Sequence, residues 1–540
     1  MSAKGKDQGR GQGRVVIGKL PTGVPGLDEI LGGGLPEYSF NIIAGAPGCG
    51  KTTLAHQLMF ANATPERPAL YFTVLGEPAI KMLRYQQQFG YFDHAKLDGA
   101  IRFVNLSSLV LEKDLGAVLD EIIKEVEASN AKIVIVDSFR TVVRKALAAA
   151  SEMELQGFVQ RLALHLTSWQ ATTFLMGEYV EGELRDNPVF TVADGLFWLF
   201  QSVERNSIVR KMQVMKLRGQ ESVPGLHTFR ITEAGLQTFP RTFGLTGSKS
   251  GHVKGQRRLS TGVRDLDTLM GGGIPEGDSL LVAGPSGAGK TVLGIEFIAE
   301  GLSRGEPSIV AMFEELPNEF IQRAASFGFD MTKYLENGTL KLIYLRPLDL
   351  SVDETVNEIV SAVKEIGCKR LVIDSLVGFE MALAPDFRTD FRESLYRMIG
   401  ALTRLGVTIL STVEVEENFT SMGLSNFTIS FLADDIVRLR YASINGQLRK
   451  VMMVVKMRRS KHSIDLCAYE VTSKGLEIGE PMRGYRALTS GIPSPWSADS
   501  GQAVPELQLS RPSLSKGARG KGRKSNPQKK KKTGKKSRGK

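Results

Sequence analysis

Two glycine-rich segments carry a lysine and a threonine at the spacing of a phosphate-binding loop. They are Gly45-Ala-Pro-Gly-Cys-Gly-Lys51-Thr52 and Gly284-Pro-Ser-Gly-Ala-Gly-Lys290-Thr291. Each follows an apolar run and opens a helical pattern, so its backbone amides can surround a phosphate at a helix N-terminus. The lysine would reach the β- and γ-phosphates of ATP, and the threonine would bind Mg²⁺. The predicted ATP-binding residues are Gly45, Gly48, Cys49, Gly50, Lys51, Thr52 and Thr53, then Gly284, Gly287, Ala288, Gly289, Lys290, Thr291 and Val292.

An apolar strand that ends in aspartate follows each loop along the chain. The two runs are Ile133-Val-Ile-Val-Asp137 and Leu371-Val-Ile-Asp374. Because parallel sheets bind ligands at the carboxyl ends of their strands, both aspartates are predicted to hold the water shell of Mg²⁺. The predicted metal-binding residues are Thr52, Asp137, Thr291, Glu314 and Asp374.

A pair of glutamates distinguishes the second half of the chain. The sequence there reads Phe313-Glu314-Glu315, whereas Leu75 and Gly76 are the aligned residues of the first half. A carboxylate at this point can deprotonate an attacking water or hydroxyl, so Glu314, Glu315 and Lys290 are the predicted catalytic residues. We expect the first half to bind ATP tightly and to hydrolyse it slowly, unless Glu77 takes the place of the pair. An acidic pair on a solvated loop is the alternative interpretation.

These motifs belong to an internal repeat. The segment Thr22-Gly-Val-Pro-Gly-Leu-Asp28 returns as Thr261-Gly-Val-Arg-Asp-Leu-Asp267, and the offset of 239 residues (261 − 22) also separates the two loop lysines (290 − 51). Landmarks that keep register over this span indicate duplication of a whole domain. In each copy apolar strands alternate with helical patterns, which predicts a mostly parallel sheet flanked by helices. The predicted fold class is α/β, with two tandem P-loop NTPase domains.

The expected domain boundaries follow from the repeat and from local composition. They are a flexible N-terminus at 1–14, a first ATPase domain at 15–239, a linker at 240–258, a second ATPase domain at 259–485 and a Lys-rich tail at 486–540. Residues 511–540 hold 14 Lys or Arg and no acid, which leaves 11 − 14 = −3 for the rest of the chain. Such a segment cannot bury enough apolar surface to fold, so disorder is predicted. It is either an electrostatic arm for nucleic acid or an acidic partner, or a solubilising extension.

Composition excludes several classes of protein. The chain of 540 residues is 42% hydrophobic and 24% charged, which is typical of a globular protein with at least two domains. No apolar run is long enough to cross a bilayer, and the N-terminus lacks the pattern of a secretory signal. Cys49, Cys368 and Cys467 are too widely spaced for a disulfide framework or a zinc site. The expected location is a reducing cytoplasm, without membrane association.

The motifs resemble those of the KaiC family of RecA-like ATPases. The resemblance covers residues 15–485 and rests on the Gly-Gly-Gly-hydrophobe-Pro entry, both loops, Phe313-Glu314-Glu315, Ile373-Asp374-Ser375-Leu376 and two Lys-x-Arg segments. It implies two tandem RecA-like domains and a ring-shaped homo-oligomer, expected to be a hexamer, with nucleotide between neighbouring subunits. It also implies that certain residues reach the nucleotide bound by the next protomer: Lys216, Leu217, Arg218, Lys456, Met457, Arg458 and His462. Without the resemblance Lys216, Arg218, Lys456, Arg458 and His462 would be interpreted as ordinary cationic strand ends.

Serine/threonine autokinase activity is a further implication of the resemblance. KaiC proteins phosphorylate adjacent Ser and Thr in the second domain, and the matching segment here is Thr428-Ile-Ser430-Phe431. Ser430 falls at the serine acceptor position, while Phe431 replaces the threonine and departs from the two-site pattern. Ser430 and Thr428 are therefore the candidate phosphoacceptors.

Two functions of different class follow. The first is an oligomeric ATPase and autokinase that acts in signalling or timing, with a Kai-type or two-component signalling partner. The second is a DNA-associated ATPase of the RecA or RadA kind that holds nucleic acid with its basic tail. Against the second stand the lack of a four-cysteine zinc module and the duplicated ATPase core. The sequence leaves open whether the first domain hydrolyses ATP and whether the protein keeps time.

Overall fold

A computed structural model gives the fold. The described residues are 17–74, 79–97, 99–112, 114–142, 152–180, 182, 188–204, 207–241, 257–345, 351–383, 391–415, 433–444, 446–483, 485–486 and 494–495. The predicted N-terminal segment 1–14 lies outside them, and the predicted linker 240–258 and tail 486–540 lie largely outside. The chain divides into two units after Ser494, and both repeats belong to the first unit.

The first repeat forms a nine-stranded sheet within the described residues. Its strands follow a short antiparallel pair of β1 with β2. In chain order the strands are β1 (Lys19–Leu20), β2 (Leu35–Pro36), β3 (Phe40–Gly45), β4 (Ala69–Thr73), β5 (Ile101–Asn105), β6 (Ile133–Asp137), β7 (Thr172–Glu178), β8 (Gly195–Glu204), β9 (Ser207–Leu217), β10 (Leu226–Thr232) and β11 (Gly235–Phe239). The order across the sheet is β5-β4-β6-β7-β3-β8-β9-β10-β11, parallel as far as β8 and antiparallel beyond it.

The second repeat copies this topology within the described residues. Its strands are β12 (Arg258–Leu259), β13 (Ile274–Pro275), β14 (Ser279–Gly284), β15 (Ser308–Met312), β16 (Leu340–Tyr344), β17 (Arg370–Asp374), β18 (Thr408–Glu414), β19 (Asp435–Ile444), β20 (Gln447–Met457), β21 (Cys467–Thr472) and β22 (Gly475–Pro481). The order across its sheet is β16-β15-β17-β18-β14-β19-β20-β21-β22. Two short strands follow, β23 (Tyr485–Arg486) and β24 (Ser494–Pro495).

Helices connect the parallel strands of both sheets. In the first repeat they are Leu27–Ile30, Lys51–Asn62, Ala79–Gln86, Ser107–Glu112, Leu115–Ser129, Glu152–Ser168 and Pro188–Val192, with a 3₁₀ turn at His94–Lys96. In the second they are Arg264–Leu269, Lys290–Ser303, Pro317–Ser326, Thr332–Glu336, Val352–Ile366, Leu376–Ala382 and Phe391–Arg404. None of the described helices is both long and apolar enough to span a bilayer.

Apolar clusters cover both faces of each sheet. Ile42 and Ile43, neighbours on β3, belong to different clusters because successive side chains of a strand point to opposite faces. Leu281 and Val282 on β14 are divided in the same way. Burial on both faces is what parallel sheets require, and it explains why the central strands read as continuous apolar runs.

The predicted α/β class with two mostly parallel sheets is confirmed. The sequence did not indicate the antiparallel strands that extend each sheet past β8 and β19. Two of those strands, β9 and β20, are 11 residues long. They carry the Lys-x-Arg segments to the end of the sheet opposite the end at which the phosphate loops lie.

Candidate nucleotide sites

The second phosphate loop is positioned by β14 and by the helix Lys290–Ser303 that follows it. Gly287 and Gly289 adopt φ values of 74° and 96°, in the left-handed region that favours glycine. The ammonium of Lys290 folds back over the loop and donates to the carbonyls of Gly284 at 2.9 Å and Pro285 at 2.8 Å. The loop is therefore already curled around its lysine.

Asp374 ends β17 beside this loop. Its Oδ2 accepts a hydrogen bond from the Thr291 hydroxyl at 2.8 Å, and its Oδ1 accepts one from the Thr412 hydroxyl. Thr412 lies on β18, between the strand of Asp374 and the strand that enters the loop. The structure thus brings together Thr291 and Asp374, two of the three residues of this repeat predicted to hold Mg²⁺, and adds Thr412, which the sequence analysis did not identify.

The two glutamates after β15 differ in their partners. Glu314 Oε1 accepts a hydrogen bond from the Ser375 hydroxyl at 2.7 Å. Glu315 pairs with Arg323 at 2.9 Å. Burial raises the pKa of Glu315, and Arg323 opposes that rise. Among the described residues, Glu315 therefore forms an ion pair and Glu314 forms none.

One cavity of about 520 Å³ collects these groups. Lys290, Thr291, Glu314, Glu315 and Asp374 all line it. Six further charged or hydroxyl side chains of the lining were not among the predicted site residues: Ser286, Glu319, Arg323, Ser375, Glu414 and Lys450. Such a volume is within the range of ligand sites, about 300–1,000 Å³.

Two of the missed residues differ in how far the sequence could have revealed them. Glu414 ends the apolar strand β18 and stands in register with the loop residue Gly284, so the strand-end argument applied to Asp374 would have found it. Lys450 lies on the antiparallel strand β20, opposite Tyr441, whose hydroxyl donates to the Ser286 carbonyl of the loop at 3.2 Å. No motif of the sequence marks Lys450.

Charges in the cavity act on Lys290. Burial lowers the pKa of its ammonium, and the carboxylates of Glu414, Asp374 and Glu314 oppose that change. A half-buried lysine held among three acids fits a site that receives a polyanion with its own counter-ion.

ATP and Mg²⁺ fit the residues that are present. A phosphate can replace the two loop carbonyls that Lys290 now contacts, and Thr291 with Asp374 supplies the hydroxyl and carboxylate that a phosphate-bound Mg²⁺ takes from a protein. Among the described residues no group of three His, Cys, Asp or Glu side chains gathers closely enough to hold a metal unaided. The chemistry of this donor set is that of a metal held jointly with substrate phosphates.

The first phosphate loop has the same backbone form. Lys51 donates to the carbonyls of Gly45 at 3.0 Å and Ala46 at 2.8 Å, and Gly50 has a φ of 103°. A Cβ added at Gly48 would point into open space, with none of the described atoms within 4 Å. Cys49 is buried, and burial raises the pKa of its thiol. Thr53 follows on the helix Lys51–Asn62, as Val292 does on its counterpart.

Asp137 occupies a different environment from Asp374. Its Oδ2 accepts from the Tyr71 hydroxyl at 2.7 Å, whereas the Thr52 hydroxyl is 3.5 Å from the same oxygen. Burial raises the pKa of Asp137, and the hydrogen bond from Tyr71 opposes that rise. Burial also lowers the pKa of the neighbouring His56 to about 4, so its ring is neutral at pH 7.

Several predicted features lie outside the described residues. These are Leu75, Gly76 and Glu77 of the first repeat, and Thr428, Ser430 and Phe431 of the second. The described residues before and after them are Val74 and Ala79 in the first case, and Val415 and Ala433 in the second.

The Lys-x-Arg segments do not meet the loops of their own repeats. Lys456 stands in register with Ile436 and Met457 with Asp435, at the start of β19, whereas the loop lies beyond the far end of the adjoining β14. Lys456 donates to the Ala433 carbonyl at 2.7 Å, and Arg458 pairs with Asp434 at 3.5 Å.

The first repeat places its segment in the same way. Lys216 donates to the Thr191 carbonyl at 3.0 Å, and Arg218 pairs with Asp194 at 3.3 Å. Leu217 ends β9 between them. In the second repeat, His462 Nδ1 lies 2.8 Å from the Ser463 carbonyl.

The three cysteines, Cys49, Cys368 and Cys467, are buried and free.

Comparison with known proteins matches the chain along most of its length. A family model described as the KaiC ATPase matches twice, over residues 20–242 and 259–483. The circadian clock oscillator protein KaiC of a Picosynechococcus species is 28% identical over 492 residues, covering 89% of this chain and 94% of that protein. KaiC 1 of a Synechocystis species is 28% identical over 494 residues, covering 89% and 93%. KaiC of Thermostichus vulcanus is 27% identical over 501 residues, covering 90% and 94%.

Proposed function

Because the chain belongs to the KaiC family of ATPases, we propose that both repeats bind ATP with Mg²⁺ and that the second repeat performs most of the hydrolysis. The observation that carries this proposal is the convergence of Lys290, Thr291, Asp374 and Glu314 on one cavity. Membership of the family supports ATP as the nucleotide, and the cavity supports the second repeat as the place of chemistry.

Binding would begin with the loop. Phosphate oxygens would take the place of the Gly284 and Pro285 carbonyls as acceptors for Lys290, so the ammonium turns from the loop to the ligand. The loop amides at the start of the helix Lys290–Ser303 would donate to the same phosphates. When bound beside Thr291 and Asp374, Mg²⁺ would neutralise charge on the phosphates.

Glu314 would act as the general base. The hydrogen bond from Ser375 fixes its Oε1, which leaves Oε2 to accept a proton from the attacking water or hydroxyl. Glu315 is paired with Arg323 and would contribute through charge and position. Lys290 would hold the phosphate that receives the nucleophile.

Steady-state hydrolysis tests this proposal. The full chain should release phosphate from ATP in the presence of Mg²⁺, and Lys290→Ala should remove most of that release. A chain that hydrolyses no ATP, or a Lys290→Ala variant as active as the parent chain, would contradict it.

We also propose autophosphorylation in the second repeat. Ser430, with Thr428 as the other candidate acceptor, would supply the hydroxyl that Glu314 deprotonates. The support is the family resemblance of the segment and the position of Glu314 in the cavity. Labelled ATP followed by phosphopeptide mapping tests it: label in residues 418–435 is expected in the parent chain and absent from the Ser430→Ala, Thr428→Val double variant. No label in this segment of the parent chain would refute kinase activity.

The Lys-x-Arg segments support a site completed by a second copy of the chain. Lys456, Arg458 and His462 would reach the nucleotide bound by the second repeat of the neighbouring protomer. Lys216, Leu217 and Arg218 would reach the nucleotide bound by its first repeat. Their position away from their own loops is compatible with action in trans. A ring, expected to be hexameric, would present each loop to the next subunit.

Mixing two inactive variants tests the shared site. Lys290→Ala lacks its own loop lysine, and the Lys456→Ala, Arg458→Ala double variant lacks the cations given to a neighbour. Each alone should hydrolyse little ATP, and a mixture should regain activity because some interfaces combine an intact loop with intact cations. No recovery in mixed oligomers of verified mass would contradict action in trans.

Signalling or timing is the role we propose for the assembly, since the relatives named above are circadian clock oscillator proteins. Stimulation of ATP hydrolysis by single-stranded DNA would instead favour a DNA-associated ATPase. The basic tail on which that alternative depends lies outside the described residues. ATPase assays with and without DNA, at low and high salt, separate the two.

A further inference from the structure

Tyr71 places a phenol directly on the metal-binding aspartate of the first repeat. It lies in the middle of β4, in register with Ile135 of β6, and its side chain is fully buried. Its hydroxyl donates to Asp137 Oδ2 at 2.7 Å, a normal length for a strong hydrogen bond between a hydroxyl and a carboxylate.

Two neighbouring rings hold the phenol in place. The His56 and Tyr71 ring centroids are 4.6 Å apart, and the Phe103 and Tyr71 centroids are 5.4 Å apart. His56 Nδ1 lies 2.8 Å from the Thr52 carbonyl, which anchors the imidazole to the loop helix. The hydroxyl of Tyr71 therefore has little freedom to leave Asp137.

The second repeat lacks this arrangement. Val310 is the residue aligned with Tyr71 (310 − 71 = 239), and Ile295 is aligned with His56 (295 − 56 = 239). Neither can donate a hydrogen bond from its side chain. Asp374 instead offers Oδ2 to Thr291 at 2.8 Å, while Thr412 takes the other oxygen.

The contrast concerns one particular oxygen. In the second repeat, Oδ2 of Asp374 accepts a hydrogen bond from Thr291 and from no other described side chain. In the first repeat the same oxygen is taken by Tyr71, and Thr52 stands 3.5 Å away, at the outer limit of a hydrogen bond. A group that draws a carboxylate oxygen from its metal-side partner alters how well that carboxylate supports the metal.

We propose that Tyr71 is a positioning residue that raises the Mg²⁺ requirement of the first nucleotide site by occupying the oxygen of Asp137 that faces Thr52. The inference rests on the proposed function, in which the first repeat binds ATP with Mg²⁺. The first site would then need a higher Mg²⁺ concentration to retain nucleotide than the second site does.

The test measures Mg²⁺ in the binding step. In the full chain carrying Lys290→Ala, only the first loop keeps its lysine, and binding of a fluorescent ATP analogue is titrated with Mg²⁺. Tyr71→Phe removes the hydroxyl and keeps the ring, which leaves Oδ2 of Asp137 free to accept from Thr52, as Oδ2 of Asp374 accepts from Thr291. The Mg²⁺ concentration for half-saturation should therefore fall, by about tenfold if the change has the size that groups contacting metal ligands commonly exert. An unchanged or higher requirement would overturn the proposal.

Tyr91→Phe is the matched control. Tyr91 belongs to the same repeat and donates to Gln86, not to Asp137, so its loss should leave the Mg²⁺ requirement as it was. Thermal midpoints measured for both variants separate a local change from loss of the fold. An equal shift in both variants would contradict a specific role for Tyr71.

A comparison without any tyrosine variant gives a second test. The first site, measured in Lys290→Ala, should need more Mg²⁺ than the second site, measured in Lys51→Ala. An equal or lower requirement at the first site would overturn the inference even if Tyr71→Phe failed to fold. If Lys290→Ala bound no nucleotide at all, the proposed function of the first repeat would be wrong, and the inference would fall with it.

Discussion

The two candidate nucleotide sites share a backbone and differ in the side chains behind it. Lys51 and Lys290 each contact two carbonyls of their own loop at 2.8–3.0 Å, and both sheets have the same strand order. The aspartates beside the loops, however, accept from different partners, namely Tyr71 in the first repeat and Thr291 with Thr412 in the second.

A second difference lies on the loop helices. In the first repeat, the side-chain oxygen of Gln57 accepts a hydrogen bond from the Leu236 amide. Its side-chain nitrogen donates to the carbonyls of Gly23 and Leu236. Glu296 stands at the aligned position and accepts from the Leu476 amide, while its Oε2 has no hydrogen-bond partner among the described residues. The comparison shows that the glycines and apolar strands keep the same backbone in both repeats. A few substitutions of polar residues between the repeats then determine the chemistry that each site can perform.

The largest effect is expected at Glu314, the proposed general base. Glu314→Gln keeps the hydrogen bond to Ser375 but cannot accept a proton, so ATP turnover by the full chain should fall by about 100-fold or more. Nucleotide binding should persist. Glu365→Gln, an exposed glutamate of the same repeat paired with Lys341, is the control and should retain turnover. Steady-state phosphate release measures both, and an active Glu314→Gln variant would end the distinction between the repeats.

Stability should respond next, at Glu296. Burial raises its pKa from 4.5 to about 7, so the folded chain binds this proton more tightly than the unfolded chain does. The stability of the parent chain should therefore fall as pH rises from about 4.5 to about 7 on account of this group. Glu296→Gln, which copies Gln57, should raise the free energy of unfolding by about 2 kcal/mol at pH 8 and by less at pH 5.

Denaturant unfolding at the two pH values measures this effect. Gln57→Glu is the reciprocal control, and it should lower stability at pH 8 more than at pH 5. A gain in Glu296→Gln that does not depend on pH would show that packing, and not the proton, distinguishes the two positions.

Metal dependence should change by a smaller factor at Thr412. Thr412→Val removes the donor to Asp374 Oδ1, so the Mg²⁺ concentration that half-saturates turnover should rise by about tenfold. Thr412 pairs with Val282 of β14, and Met176 pairs with Ile43 of β3. Because Val282 and Ile43 are separated by the repeat offset (282 − 43 = 239), Met176 is the residue of the first repeat aligned with Thr412. Its side chain has no hydroxyl. Met176→Val should leave the Mg²⁺ requirement unchanged, and an equal effect of both variants would refute the assignment.

The smallest effect is expected where the repeats touch. Arg230 of β10 pairs with Glu354 at the start of the helix Val352–Ile366 at 2.7 Å, and both side chains are partly exposed. A double-mutant cycle with Arg230→Ala and Glu354→Ala should give a coupling free energy of about 0.5 kcal/mol. A coupling near zero would mean that this ion pair does not join the repeats.

Much of the frame could be predicted from the sequence because it depends on local patterns. The loops follow from Gly-Lys-Thr spacing, and Asp137 and Asp374 follow from apolar strands that end in an acid. The antiparallel strands β9 and β20 could not be foreseen, since nothing local states that they extend a parallel sheet. Tyr71 and Thr412 escaped notice for the same reason, because each lies on a different strand from the aspartate it contacts and their meeting depends on strand order.

The most direct test of the asymmetry counts turnover at each site within one chain. The full chain is loaded with γ-labelled ATP at both loops, and phosphate release is followed by rapid quench after Mg²⁺ is added. Two phases of equal amplitude are predicted, fast for the second repeat and slow for the first, and Glu314→Gln should abolish the fast phase alone. A single phase in the parent chain, or loss of the slow phase in Glu314→Gln, would contradict the division of labour between the repeats.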